Sequence, residues 1–188
     1  MIRAVAVVLA VTAVGCVRSE ETRVKNNVET MQREQTADKL LARGKAFASV
    51  GDLTRAEQYL AAALDAGGDP RKVLPPLISV CVDGKRYRVA IDYAEPHLKA
   101  HPQETKLRFL VGTLYLAVGD ATAARARFDE VVATDPADGE AHYALGVVLR
   151  DSEKDYVGAD KHFREYLRLE PKGSHADDAR ASLLRSVH

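Results

Sequence analysis

Few side chains in this sequence are spaced to do chemistry. His97 and His101 stand one helical turn apart, a spacing that can aim two imidazoles at one metal ion. Two histidines leave a zinc site short of ligands, however. His97 falls where helix packs on helix, and His101 sits just before the helix-stopping Pro102. The pair is read as packing, and no metal site is expected. Serines, histidines and aspartates occur, but no spacing orients a nucleophile against a base. There is no nucleotide-binding glycine loop, HExxH pair or nucleophile elbow. Acids such as Asp129-Glu130 fall on a solvent-facing helix surface. No catalytic residue and no cofactor is expected, and the remaining reactive groups are two cysteines, Cys16 and Cys81.

Cys16 closes a distinctive start. Met1-Ile2-Arg3 is positively charged, Ala4 to Val14 is apolar apart from one Thr, and Gly15 precedes the cysteine. That order describes an export signal. The apolar run is about half of the ~20 residues a spanning helix needs, which disfavours a transmembrane anchor. The ending Thr12-Ala13-Val14-Gly15-Cys16 resembles a bacterial lipoprotein cleavage box, with Ala13 where that family usually has Leu. The resemblance implies removal of residues 1–15 and lipidation of Cys16. The other reading is an ordinary signal peptide before an unmodified cysteine. Each buried CH₂ of an acyl chain adds about 0.8 kcal/mol, so several chains hold a protein at a membrane almost permanently. Val17 does not resemble an inner-membrane retention signal, which implies an outer-membrane location facing the periplasm. Residues 16–36 then read as the lipidated cysteine and a polar tether. Cys81 lies at a core position of a helix and reads as an inert buried thiol.

Composition narrows the rest. Apolar residues make up 46% and charged residues 29%, a globular balance. Lys plus Arg equals Asp plus Glu, 27 each, so the chain has no net electrostatic hold on a phosphate backbone, and nucleic acid is not an expected partner.

The elements that position these residues recur. Gly44, Ile78, Gly112 and Gly146 are spaced by 34 residues. Ala56, Ala90, Ala124 and Ala159 follow the same period, as do Leu60, Ala94, Phe128 and Phe163, and Leu64, Leu98, Val132 and Leu167. All three of the latter series show one extra residue in the last unit, placed between Gly146 and Ala159. Small residues let two helices approach closely and bulky ones fill what remains. Gly51 and Gly119 break first helices where the chain turns, and Thr54 with Glu57 forms a capping box for a second helix. Pro102, Pro136 and Pro171 stop second helices. No segment alternates with period two, so no sheet is expected.

A 34-residue period with these columns is that of the tetratricopeptide repeat (TPR). The unit from Thr105 to Pro136 is the fullest match, with Gly112, Tyr115, Gly119-Asp120, Ala124 and Phe128. The second unit departs most, with Ile78 for Gly and Pro75-Pro76 inside its first helix. The resemblance implies an all-α, right-handed superhelix of about four helix-turn-helix repeats, at 37–70, 71–102, 105–136 and 139–171. Beyond Pro171, residues 174–186 read as a helix that covers the last repeat, capped by Ser174, with Asp177, Asp178, Arg180 and Arg185 outward. Use of that helix to bind a partner is the alternative.

In TPR proteins the first helix of each repeat lines a concave groove. By that resemblance the groove here holds Leu41, Lys45, Ser79, Lys106, Phe109, Thr113, Leu116, Tyr143, Val147 and Arg150. Lys and Asn are missing from the positions with which some TPR proteins hold a terminal carboxylate, so that mode is not expected. Leu41, Phe109, Leu116, Tyr143 and Val147 make an apolar strip edged by Lys45, Lys106 and Arg150. Two readings stand: the strip receives a helix or extended segment of a partner protein, or it packs against neighbouring helices and the tether. The whole plan is similar to the pilotin-like TPR lipoproteins that help pilus secretins assemble, and implies a non-catalytic envelope scaffold with no small-molecule substrate. A regulator of cell-wall synthesis or a gliding-motility component is the second reading, and an envelope hydrolase subunit with an unrecognised site is a third, of another class.

Overall fold

A computed structural model describes residues 36–184, so the signal, Cys16, most of the tether and residues 185–188 lie outside the described residues. All regular structure among the described residues is helical. The chain divides into two compact units, one ending at Asp69 and the other beginning at Pro70.

The first unit is a helical hairpin of α1 (Ala37–Ser49) and α2 (Leu53–Asp65). Gly44 of α1 is buried against Leu60 of α2; a Cβ on Gly44 would stand 2.6 Å from Leu60 Cγ. Phe47 and Tyr59 stack with centroids 5.2 Å apart, and the Arg55 guanidinium lies 4.4 Å from the Phe47 ring centre.

The second unit has three hairpins and a short closing helix. They are α3 (Pro70–Asp83) with α4 (Tyr87–Ala100), α5 (Thr105–Ala117) with α6 (Ala121–Thr134), α7 (Gly139–Val148) with α8 (Tyr156–Leu169), and α9 (Ala176–Ala181). The helices α4, α6 and α8 each end two residues before Pro102, Pro136 and Pro171. Pro75 and Pro76 sit inside an unbroken α3, which forgoes the two i→i−4 bonds their missing N–H groups would make. Buried Val73, Leu74, Leu77, Ile78, Val80 and Cys81 hold that helix in place instead.

One close approach recurs with its sizes exchanged. Gly112 and Gly146 meet Phe128 and Phe163 as Gly44 meets Leu60. In the second repeat the same two columns hold Ile78 and Ala94, both buried, so the large side chain comes from the first helix. The volume of the hairpin core is conserved while its source is reversed.

The turns between paired helices follow one scheme. Gly51, Lys85, Gly119 and Lys154 take the left-handed conformation, at φ of 78°, 56°, 80° and 58°. The next N–H reaches back to the carbonyl of Phe47, Cys81, Tyr115 or Leu149. Asp52, Asp120 and Asp155 then accept from the backbone N–H three residues on and start the second helices. The cap of α2 is therefore Asp52, not the expected Thr54: an N-cap must lie just outside the helix, and Thr54 is already within it. The extra residue of the last repeat is a π-helical turn, Leu149–Glu153, at the end of α7. Its wider ring absorbs one residue, and the Asp155 N–H bridges six residues back to Leu149 where the other turns bridge five.

The closing helix is shorter than the expected 174–186. It begins after His175, and no side chain caps it, Ser174 included. Ala176 and Ala179 are buried with Leu149, Ala159, Phe163 and Tyr166.

Candidate functional site

The expected groove residues separate into distinct environments. Leu41, half-buried, and Lys45, exposed, belong to the first unit. In the second unit Ser79, Lys106 and Thr113 are exposed, and the Thr113 hydroxyl donates to the Phe109 carbonyl in its own helix at 3.0 Å. Phe109 and Leu116 are half-buried against Ala124, Phe128, Leu145 and Val148. The Phe109 ring lies 5.3 Å from that of Phe128, tilted by 48°.

On α7 the strip is covered by the chain itself. Val147 packs on the core cluster that α9 completes. Tyr143 stacks on His175 with centroids 4.0 Å apart and planes 8° from parallel, and its hydroxyl donates to Asp178 Oδ2 at 2.9 Å. Burial and that carboxylate push the Tyr143 phenol up to about 12. Arg150 donates to the same Oδ2 at 3.2 Å and to Ser182 Oγ at 2.5 Å, and also pairs with Asp151. Asp178 stays exposed, as expected of the polar side of this segment, and there serves as a common acceptor for a phenol on α7 and a guanidinium on the π-helical turn that follows it.

The open apolar surface lies elsewhere, in a cleft of about 510 Å³ between α3 and α5. Its floor is Leu74 and Ile78, both buried. Pro70 and Pro75 form one wall, Leu107 and Leu110 the other. Leu110 is among the few large apolar side chains that are exposed, at 38%. Arg71, Gln103, Glu104, Thr105, Lys106 and His97 complete the lining. His97 Nε2 stands 3.1 Å from Glu104 Oε2, and the His101 ring meets the His97 ring edge-on at 4.3 Å. Among the described residues no three potential metal ligands gather anywhere. Leu110 had a visible signal: the same column holds Ala42, Pro76 and Ala144 in the other repeats, so it is oversized for its place.

A second cavity, of about 880 Å³, opens between α4 and α6. A chain of charged groups crosses it. Tyr115 donates to Glu95 at 2.9 Å, Arg127 grips Glu95 with two nitrogens at 3.1 Å and Glu130 with a third, and Arg108 Nε lies 3.0 Å from Glu130. Burial works against the Arg127 charge, but Glu130 and Glu95 outweigh it and raise its pKa. Burial first, then Glu95, raises that of Tyr115. Glu95 and Glu130 with Arg127 and Arg108 thus form a linked network that joins the second and third repeats.

Between α7 and α8, His142 and His162 face each other with Nδ1 atoms 3.0 Å apart, and His142 Nε2 lies 3.2 Å from the Pro136 carbonyl. That carbonyl can only accept, so Nε2–H donates to it, which for a neutral ring leaves His142 Nδ1 as acceptor and His162 Nδ1–H as donor. Burial, then the neighbouring His142, lowers the His162 pKa.

This architecture is that of helical-repeat scaffolds built from stacked hairpins. By sequence, residues 109–174 match the tetratricopeptide repeat family. No curated protein matches the chain. Among solved structures it is similar to YrrB, a TPR protein with an unusual peptide-binding site, at 19% identity and a TM-score of 0.67 over 85% of this chain and 88% of that one. It is similar to a TPR protein from Parabacteroides merdae at 22% identity and a TM-score of 0.70, over 79% of this chain and 59% of that one. MamA from Desulfovibrio magneticus RS-1 gives 22%, a TM-score of 0.63, and 76% and 80% coverage. At these identities the likeness is one of fold: the chain shares the TPR helical-repeat fold, and residues 109–174 carry the family's sequence pattern.

Proposed function

We propose that this chain is a non-catalytic adaptor of the bacterial envelope, held by a lipid on Cys16 and binding a segment of a partner protein on the inner face of its repeats. The observation that carries the binding half is the open cleft between α3 and α5, where Leu110 stays exposed beside a buried apolar floor. YrrB, of similar fold, has a peptide-binding site. The anchor half is supported by the charged start, the apolar run and Gly15-Cys16. The similarity in plan to pilotin-like TPR lipoproteins makes secretin assembly at the outer membrane the pathway to test. Crosslinking in intact cells, followed by capture of the full chain beside a Cys16→Ser variant, tests both halves. Enrichment of a secretin or another envelope assembly, lost in the variant, supports a tethered adaptor. Equal recovery from the variant removes the anchor from the function, and recovery of no envelope protein by either form overturns the reading.

A further inference from the structure

Resting on the reading of the inner face as a protein-binding surface, we infer that the α3–α5 cleft takes a partner segment in which large apolar side chains alternate with carboxylates. Three features of the cleft select that chemistry.

The first is its depth and floor. About 510 Å³ lies in the lower half of the range of ligand pockets, roughly 300–1,000 Å³. Leu74, Ile78, Pro70, Pro75, Leu107 and Leu110 give apolar contact on three sides. Large apolar side chains gain most from such a place.

The second is where the polar groups sit. Small-molecule pockets hold a few buried polar groups that fix a ligand's orientation. Here the one buried polar side chain of the lining, His97 at 8% exposure, is already engaged by Glu104 at 3.1 Å. The remaining polar groups lie at the rim, which fits a chain that lies across the opening.

The third is charge. The lining holds two permanent cations, Lys106 and Arg71, the latter with a partner of its own in the chain, and one carboxylate, Glu104, which His97 engages at 3.1 Å. A balanced protein thus presents a locally positive rim around an apolar floor, and the complement is an acidic segment with apolar anchors. Rim charges act mainly on association rate and partner choice, whereas the anchors decide dissociation.

The full chain is titrated into three fluorescein-labelled peptides, read by anisotropy. One alternates Phe or Leu with Glu, one has Lys for every Glu, and one keeps Glu but has Ser for every Phe and Leu. The first binds; the other two bind at least about tenfold more weakly. Lys106→Glu and Leu110→Ser each weaken the first peptide by about tenfold, with unchanged helicity since both positions are exposed, and rising salt weakens it further. Equal binding of the Lys peptide, indifference to both substitutions, or binding of none of the three overturns the inference. If an envelope partner is captured from cells and Lys106→Glu with Leu110→Ser leaves that capture intact, only the cleft assignment falls. If the acidic peptide binds as described and no envelope partner is recovered, the adaptor reading falls and the cleft stands.

Discussion

A Cβ placed on Gly112 would lie 2.5 Å from Cε1 of Phe128. The ring occupies the space a side chain would take, so the glycine and the phenylalanine form one packing unit. Gly112→Ala gains about 1 kcal/mol of helix propensity but overpacks a buried site at about 1–3 kcal/mol, and a net loss of stability is expected. Phe128→Ala opens a cavity and costs about 3–5 kcal/mol. The double substitution Gly112→Ile with Phe128→Ala copies the Ile78 and Ala94 arrangement and recovers a measurable part of that loss. Denaturant unfolding of the three variants checks this; a double variant no more stable than Phe128→Ala would show the exchange of sizes to be incidental.

Arg108 occupies a column that holds Leu40 and Leu74 in the first two repeats. Its partner Glu130 is also gripped by Arg127, so removing Arg108 leaves no stranded carboxylate. Arg108→Leu is expected to be neutral or stabilising, because an apolar side chain suits a buried site better than an ion. Glu130→Ala instead leaves a 7%-exposed guanidinium without its carboxylate and costs about 1–3 kcal/mol. An unfolding midpoint that falls for Glu130→Ala and does not fall for Arg108→Leu is the expected outcome.

Stability should fall in mild acid through His162. Its folded pKa is lowered, so folding favours the neutral ring. The contribution is complete above the unfolded value of about 6.5 and is lost as pH falls through the lowered folded value. Asp129 facing the ring opposes this shift, while His142, Arg125 and Lys161 reinforce it. His162→Phe should flatten the decline between neutral and mildly acid pH in denaturant titrations; an unchanged slope would assign it to other groups.

Tyr143 ties α9 to α7. Its phenol, pushed up to about 12, should ionise after an ordinary tyrosine in an ultraviolet titration. Its folded pKa is raised, so the stability it contributes is complete below about 10 and is lost as pH rises towards 12. Tyr143→Phe removes the late component, and amide exchange within 176–182 should quicken as the bond to Asp178 disappears. Exchange that stays unchanged would mean that the buried Ala176 and Ala179 hold α9 by themselves.

By itself the sequence determined the repeat. A 34-residue period, glycines at turns and prolines after helices act within a few residues of chain, so each hairpin is legible wherever it lies. The slip in the last unit was legible too, but not its form, because a wider helical turn depends on backbone bonds that no residue type announces. Which apolar residues stay exposed was decided only by tertiary packing. Tyr143, Val147 and Arg150 read alike as groove residues in the sequence, and only the fold shows that Tyr143 and Arg150 meet the exposed carboxylate of Asp178 while Val147 packs beside α9. Leu110 looks like one apolar residue among many until α3 and α5 lie side by side with Leu74 and Ile78 between them. Burial is a property of neighbours distant in sequence, and a local pattern supplies the candidates without ranking them.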